Sequence, residues 1–367
     1  MTGERGMSTM SKRGFLAGTA AALAVRSASH ATTPDSARKR SYRRIATEEG
    51  FTIPEVDAAA AAANRATGGA GMPNNPAVRE AFRNAAADLG EGRIAAMDAA
   101  GLDIALLSLG SPGVQNFPVE QARELAQLAN DRVAAAVRAH PARFAALATV
   151  APQDPEAAAR ELERAIGTLG LNGLLINSHT AGETLDAPRF TPILDALQAL
   201  DVPLYIHPRD PLPSMRGLDL PGFNVGWGYG VEVGTHVLRL IAGGVFDRFP
   251  KLKIVIGHMG EMLPFYLDRI DNRYLWEWNF RGATPPLKLR PSDYFRRNIW
   301  VTTSGVNYWH PLRYTIDRVG IDRVLFAADY PYEDMARDVR AIERTPLSIS
   351  EKRKLFDINA SRLFRIA

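Results

Sequence analysis

The chain has 367 residues, of which 46% are hydrophobic and 23% are charged. This composition is typical of a globular protein with a full hydrophobic core, and it excludes disordered and collagen-like chains. The chain contains no cysteine, which excludes disulfides, thiolate metal sites, iron–sulfur clusters and a cysteine nucleophile. Any bound metal must therefore be held by histidine, aspartate and glutamate side chains.

The positive charge of the chain is concentrated at its N-terminus. Residues 1–31 contain four basic residues and one acidic residue, so they carry +3 of the formal net charge of +4. The remaining residues carry too small an excess of positive charge to indicate a nucleic-acid-binding protein.

The first predicted element is an export signal over residues 1–31, followed by a linker over residues 32–43. A basic pair precedes an apolar run, Gly14–Val25, and small residues follow where a signal peptidase would cut. This order, which resembles a twin-arginine signal, predicts an exported, periplasmic protein. The apolar run is shorter than the roughly 20 residues that cross a bilayer, so no stable membrane insertion is expected. The alternative is a cytoplasmic enzyme preceded by a misassigned start codon.

Eight short apolar runs are the candidate strands of an α/β fold. Amphipathic helical patterns, such as Val119–Ala139 and Pro155–Leu169, lie between them. Runs that are apolar throughout are typical of strands buried on both faces. The pattern predicts a single-domain (β/α)8 barrel, a TIM barrel with loop insertions, over residues 44–367. The candidate strands are Arg44–Thr47, Ile104–Leu109, Phe144–Val150, Gly173–Ile176, Leu204–Ile206, Ile254–Gly257, Ile299–Thr302 and Val324–Ala327.

An open, doubly wound sheet is the alternative architecture. It predicts a glycine-rich phosphate-binding turn directly after the first strand. The sequence at that position, Glu48-Glu49-Gly50-Phe51, is not such a turn. The barrel is therefore the favoured prediction.

Polar side chains follow most of the candidate strands. In a TIM barrel the carboxyl ends of the strands converge on one mouth, where the chemistry takes place. We therefore expect several histidines and carboxylates to meet there. The polar segments are Thr47-Glu48-Glu49, Asn177-Ser178-His179, His207-Pro208-Arg209, His258-Met259-Gly260-Glu261, Thr303-Ser304 and Asp329-Tyr330-Pro331-Tyr332.

Glu48, His207 and Asp329 are the candidate ligands of one divalent metal ion. Two carboxylates and a neutral imidazole would balance a 2+ charge and leave coordination positions open, as in catalytic metal sites. His258 could support a ligand or transfer a proton. The sequence also leaves structural explanations open, since Glu48 and Asp329 could cap helices and His207 could be a hydrogen-bonded loop residue.

Several motifs together resemble the decarboxylase branch of the amidohydrolase superfamily. This metal-dependent branch includes gamma-resorcylate, 2,3-dihydroxybenzoate and 5-carboxyvanillate decarboxylases and aminocarboxymuconate semialdehyde decarboxylase, and the resemblance is strongest to the 5-carboxyvanillate enzymes. It extends from about Tyr42 to the C-terminus. The motifs are Arg44-Ile-Ala-Thr-Glu-Glu, Ser111-Pro-Gly-Val-Gln, Val150-Ala-Pro-Gln-Asp-Pro, Ile176-Asn-Ser-His-Thr, Leu204-Tyr-Ile-His-Pro, Ile256-Gly-His-Met-Gly-Glu, Ala327-Ala-Asp-Tyr-Pro-Tyr and Asn359-Ala-Ser-Arg-Leu-Phe.

The resemblance implies one metal ion, Mn²⁺ or Zn²⁺, bound by Glu48, His207 and Asp329. It implies that His258 is a catalytic histidine supported by Glu261, and that Asp329 delivers a proton to the substrate. No organic cofactor is implied. Homodimers or homotetramers are expected on the same ground.

The resemblance also implies substrate-binding residues. These are Arg269, Tyr332 and, across a loosely aligned Ala/Gly-rich stretch, Arg79. Many members of the branch have Glu-x-His on the first strand, whereas this chain has Gly50 in place of the histidine. The 5-carboxyvanillate enzymes also have a small residue there, so this departure fits that subgroup.

The predicted function is non-oxidative decarboxylation of a small ortho-hydroxy aromatic carboxylate, such as 5-carboxyvanillate or a dihydroxybenzoate. Direct loss of CO₂ would leave an unstable aryl carbanion, so the ring carbon must be protonated first. A metal with two open positions could bind the phenolate and the carboxylate together. The alternatives are a mononuclear metal-dependent hydrolase of a lactone, ester or amide, and a barrel that binds aromatic acids without turnover. A binuclear hydrolase is disfavoured, because its His-x-His motif and bridging lysine are absent.

Overall fold

The computed structural model describes residues 41–67, 75–212, 214–215 and 222–367. The predicted export signal, residues 1–31, and most of the predicted linker, residues 32–43, lie outside the described residues. The export prediction therefore stays a prediction. Within the described ranges, none of the helices combines the length and the apolar character needed to cross a membrane.

The described residues form eight parallel strands, in agreement with the eight predicted apolar runs. The third and eighth strands are shorter than predicted. The eighth ends at Leu325, and Ala327 N then donates to the Thr303 hydroxyl rather than to a backbone carbonyl. The third ends at Ala146, although Leu147 N still donates to Leu107 O on the second strand. The strands are β1 Ile45–Phe51, β2 Ile104–Leu109, β3 Phe144–Ala146, β4 Leu174–Asn177, β5 Leu204–His207, β6 Ile254–Ile256, β7 Ile299–Thr302 and β8 Val324–Leu325.

The strands close into a barrel in sequence order. The ladders run through β1-β2-β3 and through β4-β5-β6-β7-β8. Ala148 joins the two groups, since its N–H donates to Gly173 O at 2.8 Å and its carbonyl accepts from Leu175 N at 2.9 Å. On the other side, Thr47 N donates to Phe326 O at 3.0 Å, which links β1 to the end of β8. The TIM-barrel prediction is confirmed.

Helices connect successive strands and cover the outside of the barrel. The amphipathic segment Val231–Phe246 is divided between two helices, because Gly244 adopts a left-handed conformation with φ of 67°. The helices are α1 Pro54–Thr67, α2 Pro76–Ala87, α3 Glu91–Ala100, α4 Val119–Ala139, α5 Pro155–Gly167, α6 Thr191–Leu200, α7 Tyr229–Ala242, α8 Val245–Arg248, α9 Leu263–Phe280, α10 Pro291–Asn298, α11 Trp309–Val319, α12 Met335–Glu343, α13 Ile349–Arg353 and α14 Asn359–Leu363.

Two apolar layers hold the barrel together and leave one end free for chemistry. The larger layer packs the strands against the helices. The smaller layer takes side chains from around the ring of strands, including Leu106, Leu175 and Val255, and therefore fills the barrel interior. Leu363 and Phe364 belong to this inner layer, so the C-terminal segment covers the amino end of the strands. The carboxyl end is consequently the open mouth.

Candidate active site

Three side chains from opposite sides of the mouth converge on one point. Glu48 lies on β1, His207 is the last residue of β5, and Asp329 follows β8. Each offers one ligand atom, and these atoms all lie within 4.8 Å of one another. We call these residues the ligand triad. The structure thus brings together the three residues that the sequence analysis selected as metal ligands.

The two carboxylate oxygens of Glu48 have different surroundings. Oε2 accepts hydrogen bonds from the hydroxyls of Thr302, at 2.9 Å, and Ser304. Oε1 is buried, lacks a hydrogen-bond partner among the described residues, and lies 3.7 Å from Nε2 of His207. A Cβ at Gly257 would lie only 3.1 Å from Oε1. A buried, unpaired carboxylate oxygen is costly unless a cation binds it, so the donor set fits a metal ion.

His207 presents a free ring nitrogen toward Glu48. Its Nδ1–H donates to the carbonyl of Pro208 at 2.8 Å, which fixes the tautomer and leaves Nε2 as the acceptor. Burial lowers the pKa of His207, although the charge of Glu48 opposes this effect. The ring is therefore neutral near pH 7, as metal coordination requires.

A second buried glutamate, Glu49, holds the backbone on either side of Asp329. Its Oε1 accepts from Ala328 N and its Oε2 from Tyr330 N, both at 3.1 Å. Burial raises the pKa of Glu49 to about 8, against the effect of these hydrogen bonds. Asp329 itself has a positive φ of 63°, a strained conformation for a residue other than glycine. The clasp by Glu49 helps to maintain it.

The electrostatic environment of Asp329 favours its protonated form. Burial and the nearby charge of Glu48 raise the pKa of Asp329 to about 7, although the nearby imidazole of His258 opposes the shift. Asp329 can therefore hold a proton near neutral pH. A bound divalent cation would lower this pKa by favouring the carboxylate.

His258 and Glu261 lie in a turn of left-handed backbone directly after β6. The five residues 258–262 all have φ between 49° and 84°, a conformation that costs roughly 1–2 kcal/mol per residue other than glycine. His258 Nδ1–H donates to Glu261 Oε1 at 2.7 Å, and Nε2 faces Asp329 Oδ2 at 3.9 Å. Burial lowers the pKa of His258, but Glu261 and Asp329 outweigh it and raise this pKa well above its usual range.

Tyr332 lies at the mouth, and Arg79 lies on the helix that packs against it. The Tyr332 ring packs against Phe82 of α2, with centroids 4.7 Å apart, and Arg79 precedes Phe82 by one turn, so both lie on the same face of that helix. A Cβ at Gly50 would lie 3.5 Å from Tyr332 Cε2. The Tyr332 ring thus borders the space that a larger residue 50 would enter.

Arg269, a predicted site residue, is not placed beside the ligand triad. It is exposed, nearly two turns beyond the start of α9. It shares that helix with exposed aromatic side chains, among them Phe265, Tyr266 and Trp276. Its role in substrate binding stays a prediction.

The sequence analysis placed Ser304 at the mouth but did not predict that Thr302 and Ser304 bind Glu48, and it missed the clasp by Glu49. Thr302 and Ser304 are two residues apart at the end of β7, so both face the interior, where an alternating strand would place them. This spacing of two residues could have predicted that both hydroxyls face the barrel interior. The position of Glu49 was not predictable, because β1 is irregular between Ala46 and Glu49 and its alternation breaks there.

A further buried cluster lies beside the site. Ser178 Oγ donates to Glu232 Oε1 at 2.6 Å and accepts from Nδ1–H of His236 at 2.9 Å, while His236 Nε2 accepts from Leu185 N at 2.9 Å. Burial raises the pKa of Glu232 to about 8, against the effect of Ser178 and of nearby Arg209. His236 is a fully buried, hydrogen-bonded histidine of the core.

Comparison with known proteins gives consistent matches over most of the chain. The amidohydrolase family model matches residues 54–366. The chain is 39% identical over 297 residues to a gamma-resorcylate decarboxylase of Polaromonas sp. (strain JS666), which covers 78% of this chain and 90% of that protein. It is 36% identical over 335 residues to the enzyme of the same name from Rhizobium radiobacter, which covers 88% of this chain and 98% of that protein.

Solved structures agree with these matches. A 5-carboxyvanillate decarboxylase from Sphingomonas paucimobilis superposes with a TM-score of 0.84 at 45% identity, over 89% of this chain and 100% of that one. The corresponding enzyme from Novosphingobium aromaticivorans, complexed with manganese and 4-hydroxy-3-methoxy-5-nitrobenzoic acid, gives a TM-score of 0.84 at 40% identity, over 89% of this chain and 97% of that one. The family match, the barrel and the triad together show that this chain belongs to the amidohydrolase family.

Proposed function

We propose that this protein is a metal-dependent, non-oxidative decarboxylase of a small ortho-hydroxy aromatic carboxylate. The observation that carries the proposal is the ligand triad: two carboxylates and a neutral imidazole with ligand atoms within 4.8 Å of one another at a barrel mouth. The similarity to gamma-resorcylate and 5-carboxyvanillate decarboxylases supports this reaction over hydrolysis.

One divalent ion is the implied cofactor, with Glu48 Oε1, His207 Nε2 and an oxygen of Asp329 as its ligands. Bound there, the ion would supply positive charge that favours an ionised phenol and a bound carboxylate. The Novosphingobium aromaticivorans structure contains manganese, which favours Mn²⁺, and Zn²⁺ also tolerates this donor set. The three triad residues come from three different strand ends.

Asp329 and His258 are the proposed proton-handling groups. The ring carbon that carries the carboxylate must receive a proton before CO₂ leaves. Asp329 is the proposed donor: one of its oxygens would bind the ion and the other would carry the proton, and burial of the carboxyl raises its pKa and so favours the protonated form. His258 Nε2, 3.9 Å from Asp329 Oδ2 and held by Glu261, would stabilise the charge on Asp329 after the transfer.

Tyr332 and Arg79 are the proposed substrate-binding residues. Arg79 would attract an anionic substituent of the substrate, and Tyr332 would contact its ring and hydroxyl groups. Arg269 keeps its predicted role, which is to bind a charged group at the edge of the substrate. The exposed aromatic side chains on α9 suit a buried surface better than solvent, which supports the predicted homodimer or homotetramer. Export to the periplasm stays part of the proposal.

The substitution Asp329→Asn tests the proposal. We expect the variant to fold and to lose CO₂ release by a factor of about 10² or more, because an amide cannot donate the proton. Purified wild type and variant would be assayed for CO₂ and for acid release on a panel of hydroxybenzoates that includes 5-carboxyvanillate. A variant that decarboxylates at the wild-type rate refutes the role of Asp329. Release of acid without CO₂ by the wild type favours the hydrolase.

A further inference from the structure

Glu48 is held by a short chain of hydroxyl groups that spans three strands. Tyr205 on β5 is fully buried, and its hydroxyl lies 3.1 Å from Thr302 Oγ1. Thr302 Oγ1 and Ser304 Oγ lie 3.0 Å apart, and both donate to Glu48 Oε2. All four side chains are buried. The carboxylate is thus fixed through one oxygen only.

Only alternate side chains at the end of β7 contact Glu48, because successive side chains of a strand point to opposite sides. Thr302 and Ser304 point into the barrel, whereas Thr303 between them bonds to the backbone of Ala327. Ser304 Oγ also accepts from the backbone N–H of His258 at 3.2 Å. The same hydroxyl therefore couples the position of Glu48 to the start of the turn that carries His258.

We propose that Thr302 and Ser304 are positioning residues that restrict Glu48 to single-oxygen coordination and thereby set the metal affinity of the site. This inference rests on the proposed metal dependence. With Oε2 occupied by two hydroxyl donors, Oε1 alone faces His207, and Glu48 contributes one ligand atom. The triad would then hold an ion through one ligand atom from each residue.

Without the two hydroxyls, Oε2 would be a buried anionic oxygen that lacks its donors. Glu48 could then rotate or bind an ion through both oxygens, and its place relative to His207 would change. Loss of a hydrogen-bond partner of a metal ligand typically lowers metal affinity by about 10- to 100-fold. We expect that range for each single substitution and a larger loss for the pair.

The test is Mn²⁺ affinity, measured by competition with a chelator on metal-free protein, without any substrate. Thr302→Val keeps the shape of the side chain and removes its hydroxyl, whereas Thr302→Ser keeps the hydroxyl. Ser304→Ala removes the second donor. Thr303→Val is the matched control, because it removes a buried hydroxyl from the intervening position. The thermal midpoint of each metal-free variant reports whether it is folded.

The inference predicts about 10- to 100-fold weaker Mn²⁺ binding for Thr302→Val and Ser304→Ala, with affinity close to wild type for Thr302→Ser and Thr303→Val. It is overturned if folded Thr302→Val binds like wild type, or if Thr303→Val loses as much affinity as the others. If Thr302→Val does not fold, Ser304→Ala carries the test: the inference is overturned if folded Ser304→Ala binds Mn²⁺ like wild type, or if Thr302→Ser binds Mn²⁺ as weakly as Ser304→Ala. Wild type that binds Mn²⁺ as predicted but releases no CO₂ would refute the decarboxylase alone, whereas wild type that binds no Mn²⁺ would refute both.

Discussion

Replacement of Glu232 by glutamine should make the folded state less sensitive to pH. Glu232 is fully buried, and Ser178 Oγ donates to its Oε1. Glutamine keeps that acceptor and the volume of the side chain but cannot ionise. The amide itself changes the free energy of unfolding by the same amount at every pH. The pH dependence of the difference in unfolding free energy between wild type and variant therefore reports the ionisation of Glu232 alone.

The size of the effect follows from the pKa, which burial raises from 4.5 to about 8. The folded state therefore binds more protons than the unfolded state between these two values. The stabilisation is complete below pH 4.5 and is lost as the pH rises through about 8. The full shift in pKa contributes roughly 5 kcal/mol to the free energy of unfolding. Roughly 2 kcal/mol of this contribution is lost between about pH 5.5 and about pH 7.5.

The assay is urea unfolding of metal-free wild type and Glu232→Gln across that pH range. We expect the wild type to lose roughly 2 kcal/mol of unfolding free energy relative to the variant as the pH rises. Other titrating groups, such as Glu49, are common to both proteins and cancel in the difference. If the unfolding free energies of wild type and variant change with pH in parallel, Glu232 is already ionised at the lower pH. That result would refute the claim that burial raises its pKa.

Three further substitutions test the geometry of the site. His258→Asn should lower CO₂ release by about 10²-fold or more at unchanged Mn²⁺ content, and a wild-type rate would exclude His258 from the reaction. Gly257→Ala, at a φ of −74° that alanine tolerates, should weaken Mn²⁺ binding because its Cβ would crowd Glu48 Oε1 at 3.1 Å; unchanged chelator competition would contradict this. Gly260→Ala should lower the free energy of unfolding by about 2–4 kcal/mol, because its φ is 84° and its Cβ would lie 2.9 Å from Val301 Cγ1. Urea unfolding at wild-type stability would refute that reasoning.

The ligand triad was predictable because a barrel imposes long-range geometry on a simple sequence pattern. Glu48, His207 and Asp329 are far apart in the chain, yet each ends or follows a strand, and parallel strands in a closed ring direct such residues to one mouth. Closure itself followed from the count of eight apolar runs. The ends of β3 and β8 were less predictable, since apolar residues continue beyond the last ladder hydrogen bond.

The remaining features depend on local backbone geometry that a residue pattern does not encode. The left-handed turn at His258 contains only one glycine, Gly260, so propensity gave little sign of five successive positive φ values. The surface position of Arg269 could not be read from the sequence, because its place on α9 depends on how that helix packs against the barrel. The clasp by Glu49 depends on the irregularity of β1.

The central claim is that one divalent ion, held by Glu48, His207 and Asp329, is required for decarboxylation. The most direct measurement is CO₂ release from 5-carboxyvanillate and dihydroxybenzoates by the same preparation before chelation, after chelation and after Mn²⁺ is restored. We predict that chelation abolishes CO₂ release and that about one Mn²⁺ per chain restores it. Full CO₂ release by the metal-free protein would contradict the account.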